Sequence, residues 1–336
     1  MKKIRILFLL ISVVILYIII MKFYTGYEAY KVVTFTIADN TVSHYVYNDH
    51  FLALTKDGTL YVYDKHGKQM LTNQTDICFI NTYGDLLFIK NDGSIISDIN
   101  EDTYEGTVIG KIPGAVSGCK CYSTVIVTDK GELYFRDREG GSPFKFRDTE
   151  QLDGWIKIND VKEVTKAVIA GDSASTALFI LNNKGEVYCC SDYSSYGGDT
   201  LMKLSEDYII TDISQCYDTF FLLDDQGNLY EFGNDIRKQY CDLDQITKLE
   251  RFKSIEKLTT SLSQGTVITA NQQVFVWQKK KVFFGKAYEW ELRFGELLEQ
   301  GWDEIVPASE DYIYVIKDRV ISRIPTHTIC DELESW

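Results

Sequence analysis

The sequence predicts an all-β fold, a seven-bladed β-propeller preceded by one transmembrane helix. Three observations carry that reading. A hairpin pattern recurs seven times along the 336 residues. Its copies are spaced 35 to 54 residues apart, around the period of roughly 40–50 residues that marks a propeller blade. Before the first copy, an apolar run follows a basic cluster.

The clearest copy is Phe221–Asp235, where the apolar Phe221-Leu222-Leu223 meets the polar turn Asp224-Asp225-Gln226-Gly227 and Leu229-Tyr230-Glu231-Phe232 leaves it. Glycine supplies the positive φ of a tight hairpin turn. Matching turn glycines stand at Gly58, Gly93, Gly131 and Gly185, and two copies keep the flanks without the glycine, at Gln272 and Asp318. Four residues before the turn position stand Leu54, Ile89, Val127, Leu181, Leu223, Ile268 and Tyr314. Two residues after it stand Leu60, Ile95, Leu133, Val187, Leu229, Val274 and Val320. The third residue after is mostly aromatic, with Ile96 and Ile321 as exceptions. The intervals are 35, 38, 54, 42, 45 and 46 residues. A small sheet cannot bury both faces alone; radial neighbours bury them, and closing the ring leaves only short edges.

The N-terminal element is read first from charge. Lys2, Lys3 and Arg5 precede an apolar run from Ile6 to Met21 broken only by Ser12. With its flanks it reaches about 20 residues, enough to cross a hydrocarbon core as a helix. The basic cluster favours a cytoplasmic N-terminus, which places the body outside. A cleaved signal peptide is the rival, but FYTGYEAY lacks the small residues of a cleavage site apart from Ala29. Residues 1–23 are therefore expected to be an uncleaved signal-anchor, 24–43 a juxtamembrane linker, 44–329 the propeller and 330–336 an acidic, frayed tail. Val32–Ile37 reads as a strand available to close the ring by pairing with the last blade.

Within the ring the first three blades are compact. The 54-residue interval contains Arg136–Thr165, a long connection with Gly140-Gly141, Phe144, Phe146 and Trp155, and an outer strand at Trp155–Ile158. A second polar loop, Asp192–Asp199, carries Tyr193 and Tyr196. Arg293–Trp302 reads as a short helical turn, and Lys279-Lys280-Lys281 as a solvated turn.

The blades with the longest tails resemble the regulator of chromosome condensation family. Val187–Gly198 and Leu229–Asp235 look like the second half of its repeat, with Phe232-Gly233 in the place of tryptophan-glycine and Trp277 in the tryptophan place of its own blade. His50, eight before its turn glycine, matches the repeat's histidine; the other copies do not, and the glutamine-leucine loop ending is not retained. Gly58 with TLYVYDKHGKQM is also similar to quinoprotein-type repeats. The family resemblance implies a seven-bladed ring that acts through loops on one face, usually by binding proteins. Guanine-nucleotide exchange and chromatin binding occur in the family, but both need an intracellular partner, against which the anchor argues. Secreted propellers like those of the family that inhibit β-lactamases show that binding outside the cell is compatible with the fold.

Charge narrows the partners. The chain carries a formal net charge of −14, and beyond residue 23 it holds 31 bases against 49 acids. Such a surface repels nucleic acid and anionic headgroups. Catalytic motifs are not apparent: there is no Gly-x-Ser-x-Gly elbow, phosphate-binding glycine loop or His-Glu-x-x-His. His44, His50, His66 and His327 lack ligand-spaced partners, and His50 reads as a hydrogen-bonded strand residue. Eight cysteines outside the cell invite a disulfide reading, but most sit as small apolar strand residues. Cys189 and Cys190, being adjacent, are expected to face opposite sides.

The expected function is a non-enzymatic protein-interaction module on the cell membrane, single-pass, with an extracytoplasmic ring, a protein partner and no nucleic acid, cofactor or metal. The alternative is a cell-surface enzyme acting on carbohydrate, or a quinone-dependent oxidoreductase. Partner contact is expected at Phe144, Phe146, Trp155, Tyr193 and Tyr196, because the packed strands leave only the connections free to vary and aromatic side chains anchor interfaces.

Overall fold

Each copy of the hairpin becomes the middle of an antiparallel sheet. The computed structural model describes residues 15–17, 32–70, 72–137, 144–171, 176–191, 200–204, 208–216, 219–232, 246–250, 252–261, 264–271, 273–284, 287–296, 302–309, 312–325 and 334–335. After β1 (Val33–Thr36), the first sheet holds β2 (Thr41–Tyr47), β3 (His50–Thr55), β4 (Leu60–Tyr63) and β5 (Gln69–Met70). The second holds β6 (Ile77–Asn81), β7 (Leu87–Lys90), β8 (Ser94–Ser97) and β9 (Thr107–Lys111). The third has β10 (Ala115–Lys120), β11 (Thr124–Thr128), β12 (Leu133–Arg136), β13 (Thr149–Leu152) and β14 (Trp155–Ile158), with β14 lying between β12 and the outermost β13. The fourth holds β15 (Val164–Gly171), β16 (Thr176–Asn182), β17 (Val187–Ser191) and β18 (Met202–Lys203). The fifth holds β19 (Ile210–Cys216), β20 (Thr219–Asp224), β21 (Leu229–Phe232) and β22 (Thr247–Lys248). The sixth is built of β23 (Ile255–Thr260), β24 (Gln264–Thr269), β25 (Val274–Phe284) and β26 (Ala287–Glu296). The seventh has β27 (Glu304–Ser309), β28 (Tyr312–Lys317) and β29 (Val320–Pro325), and β30 (Glu334–Ser335) adds to the outside of the sixth. These are seven sheets, and the ring is a seven-bladed β-propeller.

The ring is closed by β1, the outer strand of the seventh sheet, where Val33 to Thr36 run antiparallel to Arg323 back to Val320. Two segments thus 288 residues apart at Thr34 and Ser322 share a side-chain hydrogen bond. The first strand of each sheet is the inner one, and these inner strands pack against one another around the axis.

There is no single core. Seven apolar clusters form among the described residues, each between two neighbouring sheets. The alternation of the second strands explains this: Phe51 and Ala53 face the seventh sheet, whereas Leu52 and Leu54 face the second. A strand buried on both faces reads as a continuous apolar run. Adjacent Cys189 and Cys190 split in the same way between two clusters.

The turns do more than reverse the chain. Ile77, Val164, Ile210 and Ile255 each donate their backbone N–H to the carbonyl of a turn glycine in the preceding blade, Gly58, Gly131, Gly185 and Gly227, at 2.9–3.0 Å. The residue just before each of those four, Asp76, Glu163, Ile209 and Ser254, accepts from the turn of its own blade. The result is a backbone relay from blade to blade. Gly58 shows why glycine is needed: its φ is +82°, and a Cβ there would lie 2.8 Å from the nitrogen of Ile77.

Four expectations are corrected or completed. Lys279-Lys280-Lys281 lie inside β25 and are not a turn, because β25 and β26 form a ribbon that runs past the end of β24. Residues 293–296 are strand, not helical turn, since they pair with residues 275–278. In the tail, Glu334 and Ser335 pair with Phe294 and Arg293. Of the expected membrane span, residues 15–17 are described and are helical; the rest lies outside the described residues. Among the described residues no helix is long and apolar enough to cross a membrane.

Candidate binding site at the ring axis

The turns of the repeat all lie on one face of the ring. The opposite face carries the connections between first and second strands and those that lead to the outer strands. There, at the axis, lies a recess of about 470 Å³. It is lined by the end of β2 and the following turn (Val46 to His50), by Thr82 and Gly84, by Glu101, and by Ser261 and Ala308 at the ends of β23 and β27. Four blades contribute to it.

Its walls are braced. Asn81, at the end of β6, is buried and donates from Nδ2 to the carbonyls of Tyr83 and Asp85 at 2.6 and 3.1 Å, shaping the loop that carries Gly84. Lys120 of the third blade holds the same loop through Asp85 at 2.5 Å and reaches Asp98 at 3.9 Å. Tyr83 then crosses the axis, and its hydroxyl accepts from Gln215 of the fifth blade at 2.6 Å. The loop therefore fills one side of the mouth and leaves the other open. On the open side, the Tyr312 hydroxyl donates to Asp49 at 2.5 Å, and His50 Nδ1 shares a 2.5 Å hydrogen bond with the Tyr104 hydroxyl. His50 is thus a satisfied strand residue, as its sequence context suggests.

The recess is electronegative. Asp49 and Glu101 are exposed, and no described cation pairs with either. Burial, and after it the charges of Glu101 and Asp85, push the Tyr47 phenol above its ordinary range. Burial and then Glu101 raise Tyr104 as well. Deeper along the inner strands, the blades are held by polar pairs. His44 Nδ1 lies 2.5 Å from Glu304, which Lys257 also reaches at 3.6 Å, so this triad ties blades six, seven and one. Burial draws the Glu304 carboxyl upward, but its bonds to His44 and Lys257 outweigh that and hold it below the usual range. Lys166 pairs with Asp212 at 2.7 Å, and Ser214 bonds Thr260. Cys119 Sγ donates to the carbonyl of Ile169 at 3.5 Å across the third and fourth blades. Among the described residues no group of three or more His, Cys, Asp or Glu is arranged to hold a metal.

The aromatic residues expected at the partner surface are placed differently from one another. Trp155 is 1% exposed and fills the seam between blades two and three, with its indole against Gly110. Phe144 is 4% exposed and packs edge-on to Phe135, with ring centroids 5.5 Å apart. Phe146 is half-buried against both rings. Phe144 and Trp155 therefore pack blades, and Phe146 rests against Phe144 and Phe135. Tyr193 and Tyr196 lie outside the described residues. Sequence reasoning passed over Asp49 and Glu101, which belong to no repeat position. The one readable signal was the acidic run Asp98–Glu105.

Comparison with known proteins bears on the fold. No family model matches the sequence, and no curated protein does. Solved structures do match. Prp20p of Saccharomyces cerevisiae is similar with a TM-score of 0.54 at 8% identity, over 90% of this chain and 94% of that chain. Yeast RCC1 (Prp20) with Kap60 gives 0.51 at 10% identity, over 85% and 80%. The β-propeller domain of Cps50 (Swd1) from Myceliophteria thermophila gives 0.54 at 12% identity, over 87% and 98%. The ring resembles the propellers of the chromosome-condensation-regulator type that its repeats suggest, and it is similar to that of Cps50 to the same degree. At these identities the likeness shows the fold alone.

Proposed function

We propose that the chain is a non-enzymatic protein-interaction module, held at a membrane by residues 1–23, whose ring stands outside the cytoplasm and meets its partner on the face opposite the repeat turns. The observation that carries this reading is the braced recess: side-chain hydrogen bonds from blades one, two, six and seven shape an open mouth. A preorganised surface of that kind loses little ordering entropy on binding. Structural neighbours support it, since Prp20p binds Gsp1p and histones and yeast RCC1 is found with Kap60. The basic N-terminus before the apolar run supports the orientation. The contact is further proposed to include Tyr193 and Tyr196, which follow β17 in the chain, and the half-buried Phe146.

A photo-crosslinking residue at Asp102, on the open face, is expected to capture one discrete partner in intact cells. The same residue at Asp225, in a repeat turn, is expected to capture none. Capture from Asp225 alone would place recognition on the other face and reject the reading. Protease added to intact spheroplasts is expected to digest the ring; full protection would reject the orientation.

A further inference from the structure

Resting on the interaction-module reading, the geometry points to the kind of partner group that enters the recess: we propose that it receives a lysine or arginine side chain from a basic segment of the partner protein, seated between Asp49 and Glu101. Both residues border the cavity, and among the described residues its lining contains no lysine or arginine. Cations on adjoining elements are engaged elsewhere. Lys120 serves Asp85 and Asp98, and Arg323 lies over the ring of Tyr312 at 3.8 Å. Asp49 is held in place by Tyr312, so one acceptor is oriented before anything binds.

The cavity suits such a side chain in shape as well as charge. Its volume of about 470 Å³ falls in the range of ligand pockets. Val46 and Ala308 offer apolar wall for an aliphatic stem. The ring of Tyr47 lies on the same lining and supplies a face for a cation. Ion-paired hydrogen bonds are the strong ones, and they gain further where water is excluded. The excess of acids over bases beyond residue 23 would steer a basic partner toward the ring from a distance.

The test uses the full chain in detergent and three labelled peptides in which glycine alternates with arginine, with lysine, or with citrulline, the neutral isostere of arginine. Fluorescence anisotropy is expected to show binding of the first two and at least tenfold weaker binding of the third. Glu101→Gln and Asp49→Asn are each expected to weaken the arginine peptide at least fivefold with the melting temperature unchanged. The pair Glu150→Gln and Asp153→Asn removes two exposed charges from the outer edge of the third blade, and is expected to change affinity less than twofold. Equal affinity for the citrulline peptide, or equal losses in the two charge pairs, overturns the proposal. So does displacement of the arginine peptide by magnesium at an ionic strength where sodium chloride has no effect, which would mark a small-cation site. If the peptides fail while Asp102 still captures a partner, the cationic chemistry is wrong and the interaction-module reading stands.

Discussion

On the face of the ring that carries the repeat turns, Ile77, Val164, Ile210 and Ile255 make the same backbone bond to the same position of the blade before. On the opposite face every brace is particular: His50 to Tyr104, Tyr312 to Asp49, Asn81 to its own loop, and Gln215 across the axis to Tyr83. The contrast separates two tasks. A backbone bond is indifferent to the side chains around it, so it can recur from blade to blade in a degenerate repeat and fix the relative placement of neighbouring sheets. A side-chain bond depends on residues that the repeat does not dictate, and those make one recess where seven-fold repetition would make a symmetric hole. The backbone links between blades therefore lie at one end of the strands, and the recess proposed for recognition at the other.

The largest effects should distinguish packing from recognition on the open face. Trp155 lies at that end of its strand but is buried. Trp155→Ala is expected to cost about 3–5 kcal/mol in urea unfolding, with partner affinity unchanged in the folded fraction. A loss of affinity with stability intact would restore Trp155 to the contact surface. On the turn face, Gly227→Ala forces an L side chain to φ +74° and sets its Cβ 2.7 Å from the nitrogen of Ile255. A cost of about 2–3 kcal/mol is expected. A neutral result would mean that the clasp relaxes freely.

A smaller effect depends on pH. Glu231, toward the open-face end of β21, has a carboxyl pushed up to about 7 by burial, and its Oε1 finds no partner among the described residues. The folded state then holds a proton that the unfolded state releases near 4.5, so stability falls as pH rises from about 4.5 to 7. Glu231→Gln is expected to be more stable than the parent at pH 8, by about 1–3 kcal/mol, and equal to it at pH 4.5. Glu304 acts in the opposite sense. Its depressed carboxyl contributes stability above the ordinary range that disappears on acidification, and His44→Ala is expected to remove part of that acid sensitivity.

Much of the ring was readable because packing repeats. The residues four before and two after most turns are buried between sheets, as Leu54, Leu60, Leu223 and Leu229 show, with the exposed Val320 as an exception. A further signal stood in the sequence unread. Three before the turn position, Thr55, Thr128, Asn182, Asp224 and Thr269 each bond the backbone N–H four residues on and so cap the turn. Of the outer strands, Trp155–Ile158 is legible and is β14, whereas β5, β18 and β22 are two residues each and carry no period. Phe144 and Trp155 stand in a long connection that could either present them to a partner or lay them on the outer edge of a blade; they are buried, and chain length alone does not say which way a loop folds. The recess left almost no trace, since Asp49, Glu101, Ser261 and Ala308 lie far apart in the chain and meet only when the ring closes.

The central claim is that the two faces divide closure from recognition, and one comparison tests it most directly. The affinity of the partner captured at Asp102 is measured for the full chain, for Asp49→Asn with Glu101→Gln, and for Asp57→Asn with Asp225→Asn on the turn face. The first pair is expected to lose at least tenfold in affinity at an unchanged melting temperature, and the second less than twofold. Loss confined to the turn-face pair, or equal loss in both, would contradict the account.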